Sequence, residues 1–316
     1  MAGRYLKHIL LFFLYASVIV GAAEESVEDT DNPLDYKEED YAKLCGIDYG
    51  SYWTVSKVRE KKTGKIYALK TFTPGPGGYG HAAKEINALE QLDHKNVIKM
   101  IANSLGARSK EDPIHIVLEH MPCDLDAALR SHPETKENIR KILYQLLSGV
   151  AHIHSKKLAH RDINTRNILI DPTDMSVKIC DFGFCCEGEN EETFLGESMD
   201  GYRRDISHIT DLVGCFYLGE SFPRWIFFRK FNVGEIESFA KAKENGVILN
   251  NTLGKLYIET EDVVSDNGLS LFLKLLVSEG TGGCTAAEEA MKHPFFDGVR
   301  ELGPLPKEPK QRLLLG

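Results

Sequence analysis

The chain has 316 residues, 42% of them hydrophobic, enough to bury a sizeable core and suited to one two-lobed enzyme domain or two small domains. Its formal net charge of -9 leaves no surplus of Lys and Arg to displace counterions, which argues against a nucleic acid as a general partner, while local basic patches for phosphate stay open. Seven cysteines, an odd number with no Cys-x-x-Cys among them, signal neither a disulfide framework nor a zinc site.

In chain order, Arg4 and Lys7 precede the apolar run Ile9 to Val20, which ends in Gly21-Ala22-Ala23. That layout predicts a secretory signal peptide over residues 1–23, because about fifteen apolar residues fall short of the roughly 20 that a spanning helix needs. The expected location is the secretory pathway or outside the cell. Membrane association is expected only if the segment stays uncleaved, and a cytoplasmic location only if the true start lies elsewhere. The sequon Asn250-Asn251-Thr252 agrees with secretion but carries little weight.

Residues 24–41 are acidic and polar with almost no apolar periodicity, and read as a solvated linker. From 42 to 119 short β-branched and aromatic runs predict strands at Trp53 to Val58, Ile66 to Phe72 and Ile114 to Leu118, with a turn at Lys62-Thr63-Gly64 and one helix over Ala82 to Leu92. From 120 to 298 the period becomes helical. Ile139, Ile142, Leu143, Leu146, Leu147, Val150 and Ile153 fall on one face, and Ser131-His132-Pro133-Glu134 reads as a capping box opening that helix. Residues 299–316, with three prolines among charges, read as a surface tail.

The most informative segment is His160-Arg161-Asp162-Ile163-Asn164-Thr165-Arg166-Asn167, followed by Asp181-Phe182-Gly183. Phosphoryl transfer needs a carboxylate to receive the attacking hydroxyl's proton and oxygen ligands for magnesium. Asp162, Asn167 and Asp181 offer these at the required spacing. Together they resemble the catalytic loop and metal-binding triplet of the protein kinase superfamily. The resemblance covers roughly residues 42 to 298. It implies an α+β fold, the bilobal kinase fold with a small β-rich lobe and a larger helical one, with ATP and Mg2+ as cofactors.

Within that resemblance, Lys70 of Tyr67-Ala68-Leu69-Lys70 grips the nucleotide phosphates, Ala68 lets the adenine ring approach, and Glu85 pairs with Lys70 from the helix. Counting back from Val55, the three glycines of the phosphate loop fall on Asp48, Gly50 and Trp53, so only Gly50 survives. A charge at Asp48 and bulk at Trp53 weaken the expected nucleotide affinity. Glu119-His120-Met121 occupies the hinge, where Glu119 and Met121 meet the adenine edge and Leu118 walls the pocket.

Lys84-Glu85-Ile86, Leu92 to Lys99, Cys123-Asp124-Leu125 and Tyr144 to Val150 look like the cyclin-dependent kinase group. In that group Asp162 is the base, Asn167 and Asp181 bind magnesium, and serine or threonine is phosphorylated. Departures follow Gly183. An Ala-Pro-Glu motif is absent, and Asp211-Leu212-Val213-Gly214-Cys215 resembles the family's central helix start after a shortened activation segment. The arginine that would pair with the missing glutamate falls on Cys284, a double loss expected to be almost neutral.

Asn164 replaces the usual lysine against the γ-phosphate, and Arg166 stands where tyrosine kinases often carry arginine. Arg161 implies control by a phosphorylated segment, with Thr193 and Ser198 as candidates and the acidic run Glu187 to Glu192 as an alternative source of charge. The group resemblance implies a cyclin-like activator, against which stands a Lys70 to Glu85 interval shorter than is usual for the group. The retained set favours an active protein kinase acting on an unknown protein. A pseudokinase scaffold and a lumenal kinase for small molecules are the alternatives.

Overall fold

The structure is a computed structural model that describes residues 35–106, 112–190, 192–194, 197–230, 233–261, 265–281 and 283–299. The signal segment, the start of the acidic stretch and the tail beyond Val299 lie outside the described residues. The chain divides into units 1–35 and 36–316, and the second holds the sheet and the helices. Packing starts at Tyr36, inside the stretch read as linker: its ring stacks on Tyr41 and tilts against His115, and its N–H donates to Asn103 O.

The small lobe is a five-stranded antiparallel sheet of β1 (Tyr41–Tyr49), β2 (Trp53–Glu60), β3 (Ile66–Phe72), β4 (Met100–Asn103) and β5 (Ile114–Glu119), in the order β1-β2-β3-β5-β4. Strand alternation divides its residues. Tyr67 and Leu69 join Val58, Ala102 and Val117 in a small cluster on one face, while Phe72 and Ala68 belong to the main core on the other.

Between β3 and β4 lies α1 (Pro76–Gln91), which buries Ala82, Glu85, Ile86, Ala88 and Leu89 at helical spacing. It begins six residues before Ala82, the start that periodicity predicts. Gly77, Gly78 and Gly80 are poor helix formers. Pro76 at the first turn and Gly75 at φ 119 nevertheless start the helix, with Gly78 buried where a Cβ would meet Thr73 O.

The larger lobe begins with β6 (Cys123–Asp124), α2 (Leu125–Ser131), α3 (Pro133–Glu137) and α4 (Ile139–Ser155). All seven apolar residues of the predicted α4 face are buried. At about 1.5–3 kcal/mol per fully buried side chain, this face anchors the lobe. The capping box does not form. Ser131 closes α2, His132 precedes α3 without a side-chain cap bond, and α4 opens after Asn138. Pro133 therefore starts a separate short helix.

After α4 come β7 (Leu158–Ala159), β8 (Ile168–Asp171), β9 (Ser176–Ile179), β10 (Cys186–Glu187), β11 (Glu192–Phe194) and β12 (Glu197–Met199). The helices beyond them are α5 (Gly201–Tyr217), α6 (Phe222–Ile226), α7 (Val233–Glu244), α8 (Thr252–Thr260), α9 (Asp266–Thr281) and α10 (Ala286–Met291). Among the described residues no helix is long and apolar enough to cross a membrane. All seven cysteines are free thiols.

The lobe does keep a buried arginine–carboxylate pair, made from residues that no family motif marks. Arg229 donates from Nε to Glu279 Oε2 at 2.6 Å, and from its NH2 group to Glu279 Oε1 at 3.0 Å and Asp211 Oδ1 at 2.9 Å. Arg203 Nε adds a bond to Glu279 O at 2.5 Å. α5, α9 and the turn before α7 are thereby pinned together. Replacing Glu279 by Ala should lower stability by about 3 kcal/mol, because it strands a mostly buried guanidinium. The Arg229→Met, Glu279→Leu double variant should recover most of that in urea unfolding.

Candidate active site

A cleft of about 920 Å³ runs between the sheet and the helical lobe. Its walls include Val55, Ala68, Lys70, Glu85, Glu119, Met121, Asn167 and Asp181, eight of the residues singled out in the sequence. Leu118 and Leu169 add apolar surface, and Asp124, Asp126, Arg130 and Arg166 bring charge of both signs to the wall. Gly50 and Asp162 do not line it. Gly50 lies in the β1–β2 turn, and Asp162 reaches the cleft through Asn167.

Lys70 sits on β3 opposite Val55 of β2 and Ile116 of β5, so its register is set from both sides. Its Nζ donates to Glu85 Oε2 at 2.6 Å and to Asp181 Oδ1 at 2.9 Å. Lys70 is 3% exposed and Glu85 0%. Burial alone would lower the lysine's pKa, but the two carboxylates outweigh it and hold the ammonium above its ordinary value. Burial pushes Glu85 up, with Lys70 pulling the other way, whereas Lys70 overcomes burial at Asp181 and draws that carboxyl down. The proton stays on nitrogen, and Asp181 is the more firmly ionised of the two acids.

Asp181 and Arg161 both hold left-handed backbone, at φ 64 and φ 68. Such strain costs about 1–3 kcal/mol per residue and persists where neighbours over-determine it. Phe182 is one of those neighbours, fully buried with its ring edge-on to His160 at 4.8 Å. Asp205 is another. It accepts the His160 N–H at 2.8 Å and the Arg161 N–H at 2.6 Å, and its Oδ2 lies 3.0 Å from His154 Nε2. The Asp162 N–H donates to His160 Nδ1, which leaves His160 Nε2 to donate to Cys180 O at 2.9 Å. Ile163 N–H donates to His208 Nδ1.

Asp205 rather than Asp211 thus holds the catalytic loop. The helix that carries it starts at Gly201 behind an Asp200 N-cap, so the activation segment is shorter than the Asp211 alignment implies. Motif matching favours Asp211 because Gly214 and Cys215 follow it. The cap residue Asp200 marks the start of this helix, but no local signal marks Asp205 within it.

Asn167 Nδ2 donates to Asp162 O and Asp162 Oδ2, both at 2.8 Å. Asn164 Nδ2 donates to Asp162 O and Oδ1, and its own Oδ1 accepts the Arg166 and Asn167 N–H groups. Asn164 therefore spends its amide on bracing Asp162 instead of reaching toward a phosphate, which corrects the role expected for it. At the hinge, Glu119 turns its carboxylate to Lys178 at 2.9 Å and Lys99 N at 2.7 Å, and its N–H to Lys99 O. Its side chain braces the hinge, leaving Met121 and backbone to face the cleft.

The donor set suits magnesium. Asp181 offers a carboxylate, and Asn167, with its amide nitrogen committed to Asp162, offers Oδ1. Among the described residues no cluster of three or more His, Cys, Asp or Glu forms a metal cage. Few protein oxygens completed by phosphate oxygens is the way Mg2+ is bound with nucleotides. The Arg161 guanidinium meets Cys186 Sγ at 3.2 Å, in the segment after the triplet. The side chains of Thr193 and Ser198, expected as its phosphorylated partners, lie outside the described residues, although their backbones pair in the β11–β12 hairpin.

A model of the protein kinase domain matches residues 41–203, more than half of the chain. The chain belongs to the protein kinase family. Its sheet-rich first part and helical second part are the two lobes of that fold, and the matched span ends inside α5.

Burial, followed by the His154 and backbone hydrogen bonds that outweigh it, leaves Asp205 with a lowered pKa. A carboxylate depressed in the fold contributes stability above its unfolded pKa of about 3.9 and loses it as pH falls through the folded value. Asp205→Asn should therefore cost about 2 kcal/mol at pH 7, with the gap to wild type shrinking below about pH 4 in denaturant titrations.

Proposed function

We propose that this protein is an ATP- and Mg2+-dependent protein kinase that phosphorylates serine or threonine hydroxyls, of a divergent cyclin-dependent kinase type. The observation that carries the reading is the convergence of Lys70, Glu85, Asn167 and Asp181, drawn from separate stretches of chain, on one cleft, with Asp162 hydrogen-bonded to Asn167 behind its wall. Chance retention of a charged set this complete, at hydrogen-bonding distance, is hard to reconcile with a cleft that only packs.

Bound with Mg2+, ATP would supply the electrophilic phosphorus and the cation that neutralises its oxygens, with Asn167 and Asp181 holding the metal. Lys70, fixed by Glu85, presents a permanent positive charge to the phosphate end. Asp162 is aimed by two amide groups, from Asn164 and Asn167, and receives the proton of the attacking hydroxyl. Because Asn164 contributes no charge, transfer is slower than with a lysine in its place. Glu85 is seated on Lys70 within the single chain, which supports activity without a cyclin-like activator pressing on α1.

A binding-only role is the second reading, favoured by the indole of Trp53 lying beside Lys70 at the phosphate end. The two separate in one assay. Full-length protein should transfer labelled phosphate from ATP to generic protein substrates, and Asp162→Ala should reduce transfer by about 10³-fold with nucleotide affinity unchanged. Transfer indifferent to Asp162 rules out the enzyme reading.

The basic–apolar–small layout of residues 1–23 supports entry into the secretory pathway. N-terminal sequencing of protein from its native source should find cleavage near Ala22 or Ala23. An intact Met1 on cytosolic material would contradict it.

A further inference from the structure

The residue in the third glycine position of the phosphate loop has a definite place. Trp53 opens β2 opposite Phe72 of β3, and its carbonyl accepts the Gly50 N–H at 2.8 Å. The indole folds back beneath the turn: a Cβ at Gly50 would stand 2.6 Å from Trp53 Cε2, so the ring lies against the loop's backbone where only glycine fits. On its other side is Lys70, whose Nζ is 4.9 Å from the Trp53 ring centroid and 5.0 Å from that of Phe72.

The ammonium of Lys70 has three N–H bonds. Two carboxylates engage it, and two aromatic faces cover it, so the group meant for phosphate is already enclosed. The indole lines the nucleotide cleft and also a smaller cavity of about 170 Å³ that it shares with Tyr52, Phe72, His81, Asp181 and Phe184. With Asp181 it is shared by both.

The loop that carries the ring is held down. Thr73 donates to Tyr52 O from its N–H at 2.8 Å and its hydroxyl at 3.2 Å. The Tyr52 ring stacks on His81 at 5.5 Å, His81 meets Phe184 edge-on at 4.9 Å, and His81 Nδ1 lies 3.0 Å from Gly183 O. With the backbone fixed on both sides of residue 53, the indole can leave only by rotating its own side-chain bonds. Asp48, paired with Val55 across the hairpin, adds a carboxylate to the cleft wall. Ala68, Leu118, Met121 and Leu169 give the cleft an apolar wall.

We propose that Trp53 is the specificity-determining residue of the cleft: its indole stands over Lys70 in the space of the distal phosphates, so the resting protein takes a nucleoside readily and a nucleoside triphosphate only by displacing the ring. The proposal rests on the nucleotide-binding reading above and adds to it a built-in discrimination against phosphate.

Isothermal titration of the full chain with adenosine and with Mg-ATP tests it. In Trp53→Gly the ratio of ATP to adenosine dissociation constants should fall about tenfold or more, the scale of a displaced desolvated cation–π contact, with adenosine affinity shifting less than about threefold. Trp53→Ala should move the ratio the same way without adding glycine to the strand. The wild-type protein gives a second readout that needs no variant to fold. The sequence holds two tryptophans, and Trp225 is fully buried in the helical lobe, so Trp53 is the one placed to respond at the cleft. Mg-ATP should change the emission and adenosine should leave it nearly unchanged. Binding of both ligands with an unaltered ratio in both variants, or equal emission changes with the two ligands, overturns the proposal alone. Absence of binding by either ligand to any form overturns it together with the nucleotide-binding reading.

Discussion

One buried ammonium organises the small lobe and ties it to the large one. Lys70 is delivered by β3, Glu85 by α1 and Asp181 by the segment after β9, so a single side chain joins sheet, helix and metal triplet. Charges this deeply buried are tolerated only when paired, since an isolated ion in an apolar interior costs several kcal/mol. The arrangement is therefore all-or-none. If α1 swung away, Glu85 would lose its partner and Lys70 would lose half its compensation. The same pairing keeps Asp181 ionised, which is the state a magnesium ligand needs.

The helical lobe orders the His160 to Asn167 loop by a shorter route than the family pattern suggests. Asp205 accepts both the His160 and Arg161 amides and also meets His154, so one buried carboxylate fixes the start of that loop. Behind it, Arg229 bonds both Glu279 of α9 and Asp211 of α5, which ties the two helices through the turn before α7. The stretch between the Asp181-Phe182-Gly183 triplet and Gly201 is short, while the loop that carries Asp162 is held by the amides of Asn164 and Asn167. Both ends of the family pattern are altered in this chain: the segment before Gly201 is short, and Asp48 and Trp53 stand in the loop between β1 and β2 or at its edges.

Much of this is legible in the sequence. Strand β3 runs from Ile66 to Phe72, the bounds that β-branched and aromatic residues between turn signals mark, and the seven apolar residues of α4 are all buried, because period 3.6 leaves them no other face. Local patterns report local facts. The start of α1 is hidden by glycines whose poor propensity tertiary packing overrides, and the Ser131 capping box fails because Pro133 nucleates its own short helix. Of the site, the residues in motifs can be named, but their partners cannot. Asp205 and Arg229 act across many residues of chain with no spacing rule. Position alone assigns Asn164 to phosphate, while its short side chain bonds back to its own loop, as asparagine does in turns.

Trp53 illustrates the same divide from the other side. Its identity announces a lost glycine, but only its contacts with Gly50 and Lys70 say where the bulk goes. Whether the Lys70 ammonium is the keystone of the small lobe is decided by a double-mutant cycle in urea for Lys70→Met and Glu85→Gln. Each single change should be costly and the double change much less than their sum, with a coupling energy of about 2–3 kcal/mol. Additive costs, with coupling below about 0.5 kcal/mol, would show that the two charges fold independently and would contradict the buried centre on which the site depends.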